Sequence, residues 1–190
     1  MTHKNSLETL ENVRDNISKN LLDGVKNRNS DFRTFTLCTT GDLPSARTVV
    51  LRGYDPSSGI ITLHTNYHTK KINEIEINAN VCCVFYSKKS KLQYRCFGDA
   101  KINHRNDIAK KAWDKMSDLS KECYFQNPLP DTKINNFNDF SKNITNNQSD
   151  YFSTININVR CIDWLYLKRE GHRRANIFIN MPQDDMWVAP

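Results

Sequence analysis

No stretch of this sequence approaches the roughly 18 consecutive apolar residues that a membrane-spanning helix needs. A helical membrane protein is therefore not expected. No pair of cysteines has C-x-x-C spacing, although six cysteines are present, at 38, 82, 83, 96, 123 and 161. No histidine stands at ligand spacing from two of them, so neither a structural zinc site nor a disulfide framework is expected. Cys82 and Cys83 lie in an apolar run and Cys38 and Cys96 in strand-like runs, as buried reduced thiols do. The expected compartment is the cytoplasm, where thiols stay reduced. The N-terminal residues lack the apolar core of a signal peptide and lead into an amphipathic segment. No Lys/Arg run is long enough to form a nucleic-acid-binding arm, and no internal repeat is present.

What is present suits one domain spanning all 190 residues. Hydrophobic residues make up 38% and aromatic residues 10%, lean but globular. The mean hydropathy of −0.68 requires a polar surface. The net charge of +6 suits a phosphate-bearing ligand. It equally suits weak, nonspecific contact with nucleic acid. The Asn-rich stretches 135–138 and 143–147 read as loop.

Periodicity divides the chain. Leu7, Leu10, Val13, Ile17, Leu21 and Val25 recur at steps of three and four, which predicts a helix over 6–27 with Ser6 as its N-cap. Strands follow: Phe32–Thr40, then Ala46–Arg52, returning as a hairpin at Ile60–Thr65 after the Asp55–Gly59 turn. Thr69–Asn78 reads as a short helix. Val81–Tyr86 and Leu92–Ile102 read as strands, the second bent or bulged at Gly98. A helix is expected over Asp107–Met116. Residues 126–150 read as a long mobile loop. Ile155, Ile157, Val159 and Cys161 alternate with Asn156, Asn158 and Arg160, a strong strand signal that continues to Leu167. Arg173–Ile179 pairs back, and the Trp187–Pro190 tail is expected to dock. The pattern predicts an α+β protein built on a six- to eight-stranded antiparallel β-barrel with flanking helices.

Three constellations carry chemistry. In Arg47-Thr48-Val49-Val50-Leu51-Arg52, strand alternation sends Arg47, Val49 and Leu51 to one face and Thr48, Val50 and Arg52 to the other. Arginine grips phosphate with a planar fork of donors, although two solvated rim arginines would read the same way. In His64-Thr65-Asn66-Tyr67-His68-Thr69-Lys70-Lys71, a strand ends and a helix begins. Helix starts offer free N–H groups and a positive dipole end, which disfavours lysine unless an anion is bound. The third is Gln93, which suits a ring edge or a simple pairing with a neighbour. Trp113, Trp164 and Trp187 read first as core or interface residues, and His104 and His172 as exposed turn histidines. Asp163 could orient a partner side chain, cap a segment or sit in a turn.

The segments SARTVVLRGYD (Ser45–Asp55), HTNYHTKK (His64–Lys71) and QYRCFGDAKI (Gln93–Ile102) resemble, in order and spacing, the flavin-binding motifs of the pyridoxamine 5′-phosphate oxidase superfamily. That resemblance implies a split-barrel homodimer with FMN at the subunit interface and a small-molecule substrate. It implies that Arg47, Lys70 and Lys71 hold the FMN phosphate, with Thr69 at the helix start. His64 and Thr65 would contact phosphate or ribityl chain. Thr48, Val49, Val50 and Leu51 would run along the isoalloxazine, Gln93 would meet its polar edge, and Arg52 would stand near flavin and substrate. The substrate-phosphate residues of the family are not retained. Trp113 replaces a Tyr, no Arg stands near Met116-Ser117, and Ile162 replaces the His of an R-x-H motif. The segment Ile162–Ala175 instead resembles an Alr4036-like branch of the superfamily. The expected function is an FMN-dependent oxidoreductase. Alternatives are a flavin-binding or flavin-storage protein without catalysis, and a basic nucleic-acid binder.

Overall fold

A computed structural model describes residues 7–124, 127–139 and 148–190. The element order is α1 (Leu10–Lys26), β1 (Thr34–Thr40), β2 (Pro44–Asp55), β3 (Ile60–Asn66), α2 (Lys70–Ile77), β4 (Asn80–Ser87), β5 (Leu92–His104), α3 (Asp107–Asp114), α4 (Asp118–Lys121), β6 (Phe152–Tyr166), β7 (Arg173–Phe178) and β8 (Met186–Val188).

The strands form one antiparallel sheet in the order β3-β2-β1-β4-β5-β6-β7-β8. The N-terminal half of β6 also pairs with β3, Phe152 to Asn66 and Asn158 to Ile60. Six strands thereby close into a barrel, and β7 and β8 continue outward from the C-terminal half of β6. The α+β split barrel expected from the pattern is the architecture observed.

Alternation explains which side chains fill it. One row across the sheet runs Arg47, Leu37, Cys83, Cys96, Ile162, Ile177, and all but Arg47 are buried. The neighbouring row runs Thr48, Thr36, Val84, Arg95, Asp163, Asn176 on the outer face. Helix α1 adds Val13, Ile17 and Leu21 to the barrel core, each worth about 1.5–3 kcal/mol relative to exposure. It starts one turn later than its periodicity suggests, because Thr9 accepts the Asn12 N–H and caps it. Ser6, the expected cap, lies outside the described residues. The helix ends at Lys26, where Arg33 donates to the free carbonyls of Gly24 and Val25. Helix α3 is likewise shorter than expected and ends at Asp114.

Gly98 does mark a bulge, between Phe97 and Gly98 in the β5–β6 ladder. The described parts of the 126–150 segment carry short 3-10 turns at Phe137–Asp139 and Gln148–Tyr151. Residues 125–126 and 140–147, including the Asn143–Asn147 stretch, lie outside the described residues. The C-terminal tail docks as β8 against β7. Of the three tryptophans, Trp164 is fully buried and Trp187 is 43% exposed. No described helix is long and apolar enough to cross a membrane.

Candidate functional site

The sequence-predicted residues fall into three groups. The first gathers where β2 and β3 meet the start of α2. Helix α2 begins at Lys70, and its N-cap Thr69 makes no side-chain capping bond; the Ile72 N–H donates to Thr69 O, which leaves the N–H groups of Lys70 and Lys71 at the helix start for an anion. Lys71 Nζ donates to Thr65 Oγ1 at 3.0 Å and to Thr69 Oγ1 at 2.9 Å. Burial pulls the Lys71 ammonium down, and the charge of Arg47 nearby lowers it further. A third N–H of Lys71 remains for a ligand.

Arg47 belongs to this group but faces inward. Nη1 donates to Leu37 O at 3.3 Å and Thr39 Oγ1 at 2.5 Å. Nη2 donates to Ser45 Oγ at 2.5 Å and Glu74 Oε2 at 2.8 Å. Its four terminal N–H groups thus all have acceptors within the chain. Burial pushes the Glu74 carboxyl up, but hydrogen bonds from Thr39 and Arg47 outweigh it, and the net shift is downward. Glu74 carries no flag in the sequence, since it reads as one more polar helix position.

The second group lies on the outer side of β2 and β3. Arg52 and His64 line a cavity of about 420 Å3 whose other wall is α3 and the turn after it: Ile108, Lys111, Ala112, Lys115 and Met116. Burial and then the charge of Arg52 lower His64 to about 4, so the imidazole is neutral near pH 7. Its Nδ1 is buried without a hydrogen-bond partner. Lys111 and Lys115, four residues apart, add positive charge that sequence reading missed. Nothing local distinguishes them from solvated lysines. A second hollow, of about 490 Å3, lies at Arg105, Asp107, Lys110, Trp113 and Asp114. Its rim carries both signs, with Lys110 paired to Asp114 at 2.6 Å.

The third group is Gln93 alone. It sits opposite Tyr86 and Leu165 on the outer face of β5. In the closed order β3-β2-β1-β4-β5-β6, β2 and β5 are diametrically opposed. One chain therefore does not bring Gln93 to Arg47 or Arg52. Thr48 and Val50 point outward on β2, while Val49 and Leu51 face inward, and Leu51 is wholly buried. Asp163 is mid-strand and not in a turn. It accepts from Arg174 at 2.8 and 2.9 Å and from Arg95. Burial raises its carboxyl, but the Arg174 and Arg95 hydrogen bonds more than offset this.

These shifts predict an acid-labile fold. His64 has a folded pKa near 4 against an ordinary 6.5, so stability declines as pH drops below 6.5, where only the unfolded chain takes up the proton. Glu74 and Asp163 sit below the ordinary carboxylate range, and their contribution drains next, as pH falls through their folded values. Thermal midpoints measured between pH 8 and pH 4 should be level above 7 and fall below 6.5. His64→Phe should remove the first part of that fall. A midpoint unchanged from pH 7 to pH 5 in the wild type would refute it.

Residues 12–104 match the sequence model of the pyridoxamine 5′-phosphate oxidase FMN-binding domain, from within α1 to the end of β5. A pyridoxine/pyridoxamine 5′-phosphate oxidase of Rubrobacter xylanophilus is 42% identical over 57 residues, 30% of this chain and 25% of its own. The chain spans less than half the length of the curated relatives it matches. Among solved structures, a pyridoxamine 5′-phosphate oxidase-related, FMN binding protein of Nostoc punctiforme superposes with a TM-score of 0.74 at 19% identity, over 93% of this chain and 97% of that one. PhzG of Burkholderia lata, solved with tetrahydrophenazine-1-carboxylic acid, gives 0.72 at 11% identity, over 100% and 98%. Residues 12–104 thus carry the pyridoxamine 5′-phosphate oxidase FMN-binding domain, the chain as a whole has the fold of the FMN-binding split barrels, and FMN is the cofactor of the matched domain. The start of α2 fits that cofactor's phosphate: a lysine with an unspent donor, held by the Thr65 and Thr69 hydroxyl oxygens, stands at a helix start without a side-chain cap.

Proposed function

We propose that this protein is an FMN-dependent oxidoreductase acting on a small anionic molecule, in one domain spanning the chain. The observation that carries it is the pairing of two groups of cations beside β2 and β3, one at the start of α2 and one around a cavity. In the first, Lys71, Lys70, Thr65, Thr69 and the first-turn N–H groups of α2 would hold the FMN phosphate, with Arg47 behind them. In the second, Arg52, Lys111 and Lys115 surround neutral His64 and an apolar wall. An anionic group would bind among the cations while the apolar part lies on Ile108, Ala112 and Met116. Bound FMN supplies hydride or electron transfer. The chain supplies anchoring, orientation and a cavity for the substrate.

Thr48, Val49, Val50 and Leu51 offer strand backbone to the flavin ring. Gln93 stands across the barrel, so we assign it to the flavin of a second copy. The outer face around it exposes Tyr86 and Phe97 beside Cys38, Cys82 and Val84. A homodimer with FMN at the subunit interface lets both residue sets serve each flavin, and a cytoplasmic location accords with six free thiols.

The test is direct. Purified protein should bind FMN, and the Lys70→Ala/Lys71→Ala double variant should bind it at least tenfold more weakly, each lost charge-assisted contact contributing about 1.5 kcal/mol or more. Anaerobic addition of substrate should bleach the flavin, and oxygen should restore it with turnover. Screening pyridoxamine 5′-phosphate and other small anions identifies the substrate. FMN bound but never reduced by any of them points to flavin storage, and FMN titration unchanged in the double variant removes the anchor.

A further inference from the structure

The cationic cluster at the start of α2 contains its own anion. Glu74 is only 3% exposed and lies one helical turn after Lys70. Its Oε2 accepts from Thr39 Oγ1 at 2.5 Å and from Arg47 Nη2 at 2.8 Å. Its Oε1 is buried with no hydrogen-bond partner, and the Lys70 ammonium, 75% exposed, stands 3.9 Å from it. A buried carboxylate oxygen without a partner is costly. Retaining one within a cluster of three cations calls for a reason.

We propose that Glu74 is the residue that sets how tightly this site holds a phosphate monoester: an internal counter-anion that competes for Arg47 and trims the charge of the cluster. The proposal rests on the reading of this cluster as the FMN phosphate site. Arg47, Lys70 and Lys71 bring three positive charges and Glu74 removes one, leaving a charge of about two, which matches a phosphate monoester with a second pKa near 6. Every terminal N–H of Arg47 already has an acceptor in the chain. A phosphate gains Arg47 only by sharing it with Glu74 or by taking it over. The apo site is thereby held together without ligand, and affinity for the ligand is held down.

Glu74→Gln separates charge from position, because the amide oxygen still accepts from Arg47 and Thr39 while the negative charge is gone. FMN and riboflavin, which lacks the phosphate, are titrated by flavin fluorescence into wild-type and variant protein at low ionic strength. Expected is about a tenfold gain in FMN affinity, from one charge removed at contact range in a partly screened site, with riboflavin affinity within about twofold of wild type. Circular dichroism checks the fold. Should Glu74→Gln not fold, Glu74→Met, uncharged and of similar length, takes its place. FMN affinity unchanged or weakened in the folded variant overturns the proposal and leaves Glu74 as a positioning residue for Arg47. Wild-type protein that binds FMN no better than riboflavin overturns the phosphate site itself, and the proposal with it.

Discussion

Arg47→Ala is expected to cost both cofactor and fold. The guanidinium stands between Leu37 O, Thr39, Ser45 and Glu74, with its ion-pair partner almost wholly buried. Removing it strands the Glu74 carboxylate without its cation, and breaking a buried pair from one side costs about 3–5 kcal/mol. The Leu37 carbonyl and the Thr39 and Ser45 hydroxyls also lose their common donor. FMN affinity should fall at least a hundredfold, since the charge behind the anchor goes and the lone anion repels phosphate. Urea unfolding followed by circular dichroism measures the first effect and flavin titration the second. Adding Glu74→Gln to Arg47→Ala should recover most of the stability by removing the stranded charge. An unfolding midpoint equal to wild type in the single variant would show that the pair contributes nothing.

Gly98→Ala is expected to be the most damaging single methyl group in the barrel. A Cβ at this position would lie 2.2 Å from Asn158 O and 2.9 Å from Val159 Cα. Both are backbone atoms of β6, so no side chain can swing aside. The position is also the bulge of the β5–β6 ladder, the longest pairing in the sheet. Relief requires the two strands to separate, at a cost of more than about 3 kcal/mol. Gly53→Ala is the comparison: there the neighbour is the Thr62 side chain at 3.3 Å, and a small shift suffices. Expected are a loss of soluble, cooperatively unfolding protein for Gly98→Ala and a modest drop in midpoint for Gly53→Ala. Equal midpoints would mean that the close approach is not a constraint.

The barrel was legible wherever side chains alternate on a regular strand. Ile155, Ile157 and Val159 face the core while Asn156, Asn158 and Arg160 do not, and the same rule separated Arg47 from Arg52. Helix boundaries were less legible, because capping is decided by one hydroxyl. Thr9 does what Ser6 was expected to do. The partnership of Arg47 with Glu74 was not legible, since twenty-seven positions separate them and only the docking of α2 on the barrel brings them together. Gln93 shows a different limit. Its motif is in register with the others along the chain, but strand order places it across the barrel, and local pattern carries no strand order. Lys111 and Lys115 were passed over because exposed helical lysines are common, and their meaning depends on facing Arg52 and His64.

One strand holds the structure shut. With β6 pairing to β3 along its first half and to β7 along its second, the described strands before Phe152 are a five-stranded curl, β3-β2-β1-β4-β5, with two raw margins. Such margins offer ready templates to other chains, and pairing across so much intervening sequence is slow. On the ribosome the curl emerges first and stays unsealed until its keystone arrives. The period of greatest vulnerability for this molecule therefore falls during its synthesis.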